Sequence, residues 1–229
     1  MKCFSPVQIE DTRGRNPLKS QKYIMVPCGH CLACLDKRRR EWTARLKFEA
    51  RNSTSAHFVT LTYDDLYLTY VNGTDIPTLV KSDFQKFMKR LRKNTGCKLR
   101  YYAAGEYGAR TMRPHYHVCL FNLPEEMIDK IDQSWQLGMT LTGRLDAGGM
   151  SYVASYITKK SCQPMIPEDV NDSNYQAPFS CMSTKPAIGD CYLTPAVRSK
   201  YENSENTIIH VDGHVTGMPR CFQYVKDTL

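Results

Sequence analysis

Two histidines separated by one residue are the first feature of the sequence with an obvious chemical use. His115 and His117 lie in RPHYHVCLF (113–121), an apolar segment that predicts a β-strand. Side chains alternate along a strand, so both imidazoles point to one face and Tyr116 points to the other. Two imidazoles on one face form half of a metal site, although such histidines are also common as ordinary core or surface residues.

Glu106 lies in the preceding predicted strand, KLRYYAAGEYG (98–108). If the two strands form an antiparallel hairpin roughly symmetric about Arg110, Glu106 faces His115, with about 5 Å between their Cβ atoms. One carboxylate and two imidazoles would form a three-ligand set that accepts Mn²⁺, Mg²⁺ or Zn²⁺. The alternative is that Glu106 forms an exposed ion pair with Arg110 or Arg113.

A pair of tyrosines follows in SYVASYITKK (151–160), which predicts a helix. Tyr152 and Tyr156 are four residues apart, so they share one helical face, and Lys159 and Lys160 are close enough to approach the second hydroxyl. A phenol has a pKa of about 10 and is a poor nucleophile unless a cation activates it or its target. For this motif alone, the alternative is a pair of tyrosines that only pack against the sheet.

A cysteine cluster stands near the start of the chain. Cys28, Cys31 and Cys34 have the spacing CxxCxxC, and Cys3 is a candidate fourth ligand for a structural zinc ion, with His30 as an alternative. The spacing is also compatible with an iron–sulfur cluster or with three reduced thiols. The first fifteen residues lack the apolar core of a signal peptide, so we expect an intracellular protein with reduced thiols rather than disulfides.

Positive charge is concentrated in the first half of the chain. The 229 residues carry a net charge of +8, with 22 basic and 10 acidic residues up to Arg113 and 9 basic and 13 acidic residues after it. Such asymmetry favours an anionic polymer as partner, with nucleic acid ahead of a membrane surface. No run of 18 apolar residues predicts a membrane span.

The order of predicted elements indicates an α+β protein with a central antiparallel sheet flanked by helices. Besides the two strands above, we predict strands at 57–63 and near 139–145, helices at 35–51, 82–93 (capped by Ser82 and ended at Gly96), 124–136 and 151–160, and a hairpin at 207–215 around Asp212-Gly213. The predicted organisation is a Cys-rich segment (1–34), a central domain (35–160) and a C-terminal extension packed on it (161–229).

Several of these motifs, taken in order, resemble those of HUH endonucleases, a superfamily that includes rolling-circle replication initiators and relaxases. FVTLTY, GEYG, RPHYHVCLF and YVASYITKK carry this resemblance. VPCGHCLAC with the following basic stretch, and the late segment from Asp212-Gly213 to Pro219-Arg220, resemble replication initiation proteins of gokushovirus-type microviruses, which are single-stranded DNA phages. The resemblance is strong over 24–160 and patchy over 207–222.

The resemblance implies specific roles for the candidate residues. His115, His117 and, less securely, Glu106 would hold a divalent Mg or Mn ion, and Tyr156 or Tyr152 would attack a scissile phosphate. The products would be a 5′-phosphotyrosine and a free 3′-OH, and the second tyrosine would serve in strand rejoining. Tyr156 with Lys159 also fits a YxxK spacing, so we rank Tyr156 first.

The implied partner is single-stranded DNA at a replication origin. We expect its backbone to contact basic residues of the predicted helices and the hairpin, and unpaired bases to stack on Tyr101, Tyr102 and Tyr107. The candidate basic residues are Arg38, Arg39, Arg40, Arg45, Lys86, Lys89, Arg90 and Arg113. No GxxxxGK[ST] motif is present, so a host helicase and polymerase would complete replication in the bacterial cytoplasm.

Two other functions remain open at this point. A zinc-containing protein that binds nucleic acid without cleaving it would account for the charge and the cysteines but not for the histidines and tyrosines. A metal-dependent phosphodiesterase that activates water would cleave DNA without forming a covalent link to it.

Overall fold

A computed structural model describes residues 2–11, 22–156, 173–202, 208–217 and 219. The strands are β1 (Val7–Glu10), β2 (Tyr23–Val26), β3 (Ala56–Thr62), β4 (Thr69–Tyr70), β5 (Pro77–Thr78), β6 (Arg100–Tyr107), β7 (Pro114–Phe121), β8 (Thr140–Arg144), β9 (Phe179–Met182), β10 (Ile208–Val211) and β11 (His214–Gly217). The α-helices are α1 (Leu32–Arg51), α2 (Lys81–Thr95), α3 (Asp129–Trp135), α4 (Ala147–Ser155) and α5 (Pro195–Glu202).

The centre of the fold is a five-stranded sheet in the order β8-β3-β7-β6-β9. Every neighbouring pair is antiparallel. The predicted α+β class with an antiparallel sheet and flanking helices is therefore confirmed. Strands β6 and β7 lie inside the sheet, so both are hydrogen-bonded along their length and their register is strongly constrained.

Alternation along β7 divides its side chains between two layers of helices. Tyr116, Val118 and Leu120 lie in a core that includes residues of α2 and α3. Cys119 and Phe121 lie in a second core with residues of α1 and α4. His115 and His117 belong to this second face, which we call the α1/α4 face.

Helix α1 is longer than predicted and begins at Leu32 instead of residue 35, with Cys31 as its N-cap residue. It contains no proline or glycine, and it buries Ala44, Leu46 and Phe48. The other side of the helix carries its basic residues. Helix α1 lies beside α4, where the Arg39 guanidinium donates a 3.3 Å hydrogen bond to Ser151 Oγ.

The start of α2 is set by tertiary contacts, and the prediction that Ser82 caps it is wrong. Val80 is the N-cap residue, and Ser82 lies inside the first turn. The Tyr116 hydroxyl accepts a hydrogen bond from the Val80 N–H and donates one to its carbonyl, so a buried phenol from β7 replaces a local cap. The predicted end is confirmed, since Gly96 follows the helix with φ of 67°.

Two other predicted helices have different limits in the structure. The predicted helix 124–136 is a short 3₁₀ turn (Glu125–Met127) followed by α3. Helix α4 begins at Ala147, earlier than the predicted residue 151, because the Asp146 carboxylate accepts a 2.6 Å hydrogen bond from the Gly149 N–H. Its predicted continuation to residue 160 lies outside the described residues.

The later part of the chain contributes a strand that the sequence pattern does not predict. Strand β9 pairs with β6 at the edge of the central sheet. The segment after β9 is attached by the buried Glu49, which pairs with Arg100 and accepts a 2.7 Å hydrogen bond from the Gly189 N–H. The predicted hairpin around Asp212-Gly213 is confirmed as β10 and β11. No helix among the described residues is long and apolar enough to cross a bilayer.

Gly138 provides a test of the connection that leads into β8. Its φ is 149°, and a Cβ atom there would lie 2.4 Å from the Thr62 carbonyl oxygen. We expect Gly138→Ala to lower the free energy of unfolding by about 2 to 4 kcal/mol, because backbone atoms of β3 would have to move. Gly143→Ala is the matched control, since a Cβ at Gly143 meets nothing within 4 Å.

The measurement is chemical denaturation of both variants beside the wild type. Gly143→Ala should stay within about 1 kcal/mol of the wild type. Equal stability of the two variants would contradict the close approach of this loop to β3.

Candidate active site

The hairpin of β6 and β7 brings a carboxylate opposite an imidazole. The register pairs Glu106 with His115, as the sequence predicted, and pairs Ala104 with His117. The turn closes through a 3.0 Å hydrogen bond from the Gly108 N–H to the Arg113 carbonyl. Glu106, His115 and His117 therefore share the α1/α4 face at the end of the hairpin nearest this turn.

One oxygen of Glu106 contacts both imidazoles. Its Oε1 lies 2.7 Å from His115 Nε2 and 3.0 Å from His117 Nε2. Glu106 and His117 are buried, and His115 is partly exposed. One ligand atom from each residue lies within 4.8 Å of the other two.

The hydrogen bonds of His115 indicate that a cation belongs between these groups. Its Nδ1 lies 3.1 Å from the Arg113 carbonyl oxygen, which can only accept, so Nδ1 carries the proton. In the neutral ring, Nε2 then presents a lone pair to an acceptor oxygen of Glu106. Two acceptors at 2.7 Å need a cation between them or a second proton on the ring, so the donor set fits a divalent metal ion.

Glu106 is ionised at neutral pH. Burial opposes its ionisation, but the hydrogen bonds to His115 and His117 outweigh burial and lower the pKa of Glu106 to about 2. A permanently charged carboxylate beside two imidazoles is suited to holding a cation.

Residues outside the triad orient the imidazoles. Thr60 on β3 is paired with His117, and its Oγ1 lies 3.0 Å from His117 Nδ1. The Phe58 ring packs against the His117 ring at a centroid distance of 5.5 Å. The sequence analysis did not identify either residue. The signal was available, because alternation along FVTLTY places Phe58 and Thr60 on one face.

Both tyrosines of α4 lie against His117. Each ring centroid is 5.4 Å from the His117 centroid, with Tyr156 nearly parallel to the imidazole and Tyr152 edge-on. The two phenol rings are 4.9 Å apart. Val153 and Ala154, on the other side of the helix, are buried in the core beneath α4.

The two phenols differ in their surroundings. Tyr152 is 45% exposed, whereas Tyr156 is partly buried at the C-terminal end of α4. Burial, a hydrogen bond with Tyr152 and the nearby charge of Glu106 raise the pKa of Tyr156 above its usual range. Lys159 and Lys160 lie outside the described residues.

The predicted DNA-contacting residues do not form one surface. Arg38, Arg39 and Arg40 lie near the start of α1, on the layer that also contains α4. Lys86, Lys89 and Arg90 lie on α2, which packs on the opposite face of the sheet from the triad.

Three of the predicted arginines make contacts within the protein. Arg45 Nε donates to the Ile188 carbonyl, Arg90 donates to the carbonyls at the end of α3, and Arg113 pairs with Asp65. These contacts fix their side chains to the fold.

The prediction that Tyr101, Tyr102 and Tyr107 stack on bases is wrong. Tyr102 and Tyr107 are 0% and 2% exposed. Tyr101 packs edge-on against Phe84 at 5.3 Å. Strand β6 is interior to the sheet and both its faces are covered by helices or loops, so aromatic side chains there become part of the core.

The cysteines near the N-terminus form a second cluster. One Sγ atom from each of Cys3, Cys28, Cys31 and Cys34 lies within 4.8 Å of the others. His30 is exposed and is not part of this group.

Comparison with known proteins identifies similar replication proteins. The family model for the replication-associated protein ORF2 family matches residues 56–161, which include the triad and both tyrosines. Replication-associated protein ORF2 of Spiroplasma virus 4 is 31% identical over 197 aligned residues, covering 70% of this chain and 61% of that protein.

Two further relatives are similar over nearly the whole chain. Replication-associated protein VP4 of Bdellovibrio phage phiMH2K is 28% identical, covering 97% of this chain and 76% of its own length. Replication-associated protein ORF4 of Chlamydia phage 1 is 26% identical, covering 100% and 59%. The chain thus spans about three fifths of the Spiroplasma and Chlamydia virus proteins. No solved structure matches the chain at a significant level.

Thr60 allows a test of the candidate metal site that does not depend on activity. In Thr60→Val, His117 loses the hydroxyl that contacts its Nδ1, so we expect the affinity for Mn²⁺ to fall about 10- to 100-fold. Thr62→Val is the matched control on the same strand, because its hydroxyl bonds the Met139 carbonyl instead of an imidazole. Titration calorimetry measures both, and equal affinities for the two variants would contradict an orienting role of Thr60.

Proposed function

We propose that this chain, which is similar to replication-associated proteins of single-stranded DNA phages, initiates rolling-circle replication as an HUH-type nickase. It would cleave single-stranded DNA at an origin by attack of a tyrosine on phosphorus, and later rejoin the strand. The antiparallel sheet with the HYH strand at its centre is the scaffold expected of that superfamily.

The observation that carries this proposal is the contact of both phenol rings with a candidate metal ligand. Tyr152 and Tyr156 pack on His117, whose Nε2 contacts Glu106. A nucleophile must lie within a few ångströms of the phosphate that the cation binds. A pair of tyrosines that only stabilised the fold would not need to meet the triad.

Glu106, His115 and His117 would hold the divalent ion. A cation bound by them supplies a Lewis acid that polarises the scissile phosphate and offsets the carboxylate charge near the phenols. The Arg113 carbonyl and Thr60 would keep the two imidazoles in the orientation that presents Nε2.

The proposed chemistry is a transesterification. The Tyr156 oxygen forms a bond to phosphorus and loses its proton, while the bond from phosphorus to the 3′ oxygen breaks and that oxygen gains a proton. The products are a 5′-phosphotyrosine and a free 3′-OH, which can prime a polymerase. Attack by a 3′-OH on the phosphotyrosine reverses the step, so rejoining needs no ATP.

Tyr152 is suited to the second transfer. Its ring lies 4.9 Å from that of Tyr156, and the two side chains belong to one rigid helical face. Its greater exposure would let a second strand end approach after the first link has formed. Two phenols beside one triad could thus alternate as nucleophile and acceptor.

We propose that the DNA backbone follows α1 to reach the triad. Arg38 and Arg40 are exposed there, and Arg39 contacts Ser151, the residue before Tyr152. Arg39, Arg40, Lys47 and Ser151 also line a cavity of about 210 Å³ between α1, α4 and the β10–β11 hairpin. Phosphates held there would lie on the side of the sheet that presents the tyrosines.

The decisive test uses Tyr→Phe variants, because phenylalanine keeps the ring packing on His117 and removes only the hydroxyl. Wild-type protein incubated with Mn²⁺ and 3′-labelled single-stranded oligonucleotides of random sequence should form a covalent protein–DNA adduct. We expect Tyr156→Phe to reduce the adduct at least about 100-fold and Tyr152→Phe to have a smaller effect. Tyr70→Phe, at an exposed tyrosine of β4, is the matched control.

Each other outcome of this gel assay favours a different function. Cleavage without an adduct, retained in the double Tyr→Phe variant, would indicate a phosphodiesterase that uses water. Salt-sensitive binding without any cleavage by the wild type would indicate a non-enzymatic nucleic-acid-binding protein.

The DNA path can be tested by comparing the two basic helices. We expect Arg38→Gln with Arg40→Gln to weaken binding of single-stranded DNA and to reduce the slope of log affinity against log salt by about 1.4, the value for two lost phosphate contacts. Lys86→Gln with Lys89→Gln removes the same charge from α2 on the other face and should leave both quantities nearly unchanged. Equal effects, measured by fluorescence anisotropy, would refute a path along α1.

A further inference from the structure

Four thiols converge where the N-terminal hairpin meets α1. Strands β1 and β2 form this hairpin and bring Cys3 back to Cys28, while Cys31 caps α1 and Cys34 lies in its first turn. The Sγ atoms of Cys3 and Cys28 are 3.5 Å apart, and those of Cys31 and Cys3 are 3.8 Å apart. These residues lie outside the part of the chain matched by the replication-protein family model.

The sulfur positions fit a single tetrahedral ion. Zinc–thiolate bonds of about 2.3 Å in a tetrahedron separate the sulfurs by about 3.8 Å. All four sulfurs lie within 4.8 Å of one another. In a polynuclear iron–sulfur cluster the thiolates bind different irons and must be spread further apart, so this set favours a mononuclear site.

Backbone donors surround the sulfurs as they do in thiolate metal sites. The Cys28 N–H donates to Cys3 Sγ at 3.3 Å, and the Cys31 N–H donates to Cys28 Sγ at 3.4 Å. The N-terminal end of the 20-residue helix α1 also points its partial positive charge at the cluster. Both effects stabilise thiolates, as a dianionic ZnS₄ centre requires.

The cysteines differ in how readily they ionise without a metal. Backbone hydrogen bonds with Phe4 and Cys34 lower the pKa of Cys31 to about 6. A backbone hydrogen bond with Gly29 favours ionised Cys34, but burial and the neighbouring cysteines outweigh it and raise the pKa of Cys34 to about 12. Thiolates this close repel one another, and a bound cation removes that repulsion.

The segment before α1 lacks a core of its own. Residues 2–11 and 22–32 include no buried hydrophobic residue, and Val7 and Met25 are 48% and 61% exposed. A two-stranded hairpin without a packed face is marginal in water. A metal ion can supply the folding free energy that apolar burial does not provide here.

We propose that Cys3, Cys28, Cys31 and Cys34 bind one structural Zn²⁺ ion that folds the N-terminal hairpin onto the start of α1. The thiol protons are released to solvent as the four bonds to zinc form. The site is separate from the triad, and it would fix the end of the helix that carries Arg38, Arg39 and Arg40.

Elemental analysis of full-length protein purified without chelators tests this proposal directly. We expect one zinc per chain that survives dialysis against Mg²⁺, and a loss of at least nine tenths of it in Cys28→Ser with Cys31→Ser. Cys191→Ser, at an exposed thiol, and His30→Ala are matched controls that should keep the zinc. His117→Ala should also keep it, which separates this site from the triad and from the nickase proposal.

Absence of metal, one iron instead of zinc, retention of zinc by the double cysteine variant, or its loss in His30→Ala or His117→Ala would each overturn the proposal. A second measurement covers failure of the cysteine variants to fold. Replacing zinc by Co²⁺ in the wild type should give the thiolate charge-transfer and d–d absorption bands of a tetrahedral S₄ site. A spectrum typical of octahedral oxygen ligands would equally overturn it.

Discussion

The site depends on the pairing of Glu106 with His115 across two interior strands. A shift of one residue in the register of β6 and β7 would turn Glu106 to the opposite face and leave two imidazoles without a carboxylate. The same hairpin turn holds the Arg113 carbonyl against His115 Nδ1, so strand pairing and imidazole orientation have a common origin. Because both strands have neighbours on each side, the rest of the sheet protects this register.

The sheet separates stability from the polar site. On one face, side chains of β3, β6 and β7 pack against α2 and α3 in an apolar core that also contains the buried Trp135. On the other face, the core beneath α1 and α4 gives way to the triad near the hairpin turn. The polar triad is tolerated there because its charges are paired with one another. Tyr152 and Tyr156 mark the boundary, with their rings on His117 and the rest of α4 on the apolar core.

The regions around the sheet are attached by polar contacts more than by apolar burial. Glu49 joins α1 to Arg100 and to the loop after β9. Asp212 in the last described hairpin pairs with Lys47 and Arg51 of α1. Helix α1 therefore connects the N-terminal cysteine cluster, the sheet and the C-terminal hairpin. In the proposed function this helix also guides the DNA, so changes at either end of the chain would be felt at the tyrosines.

Local patterns in the sequence determined the local features of this protein. Alternation in RPHYHVCLF placed His115 and His117 together, and Gly96 and Asp212-Gly213 marked a helix end and a hairpin, because these signals act within a few residues. Tertiary structure alone decided the start of α2 at Val80, the burial of Tyr102, the edge position of β9 and the placement of α2 on the face opposite the triad. Each of these depends on contacts between residues distant in the chain, which no pattern within a short segment contains.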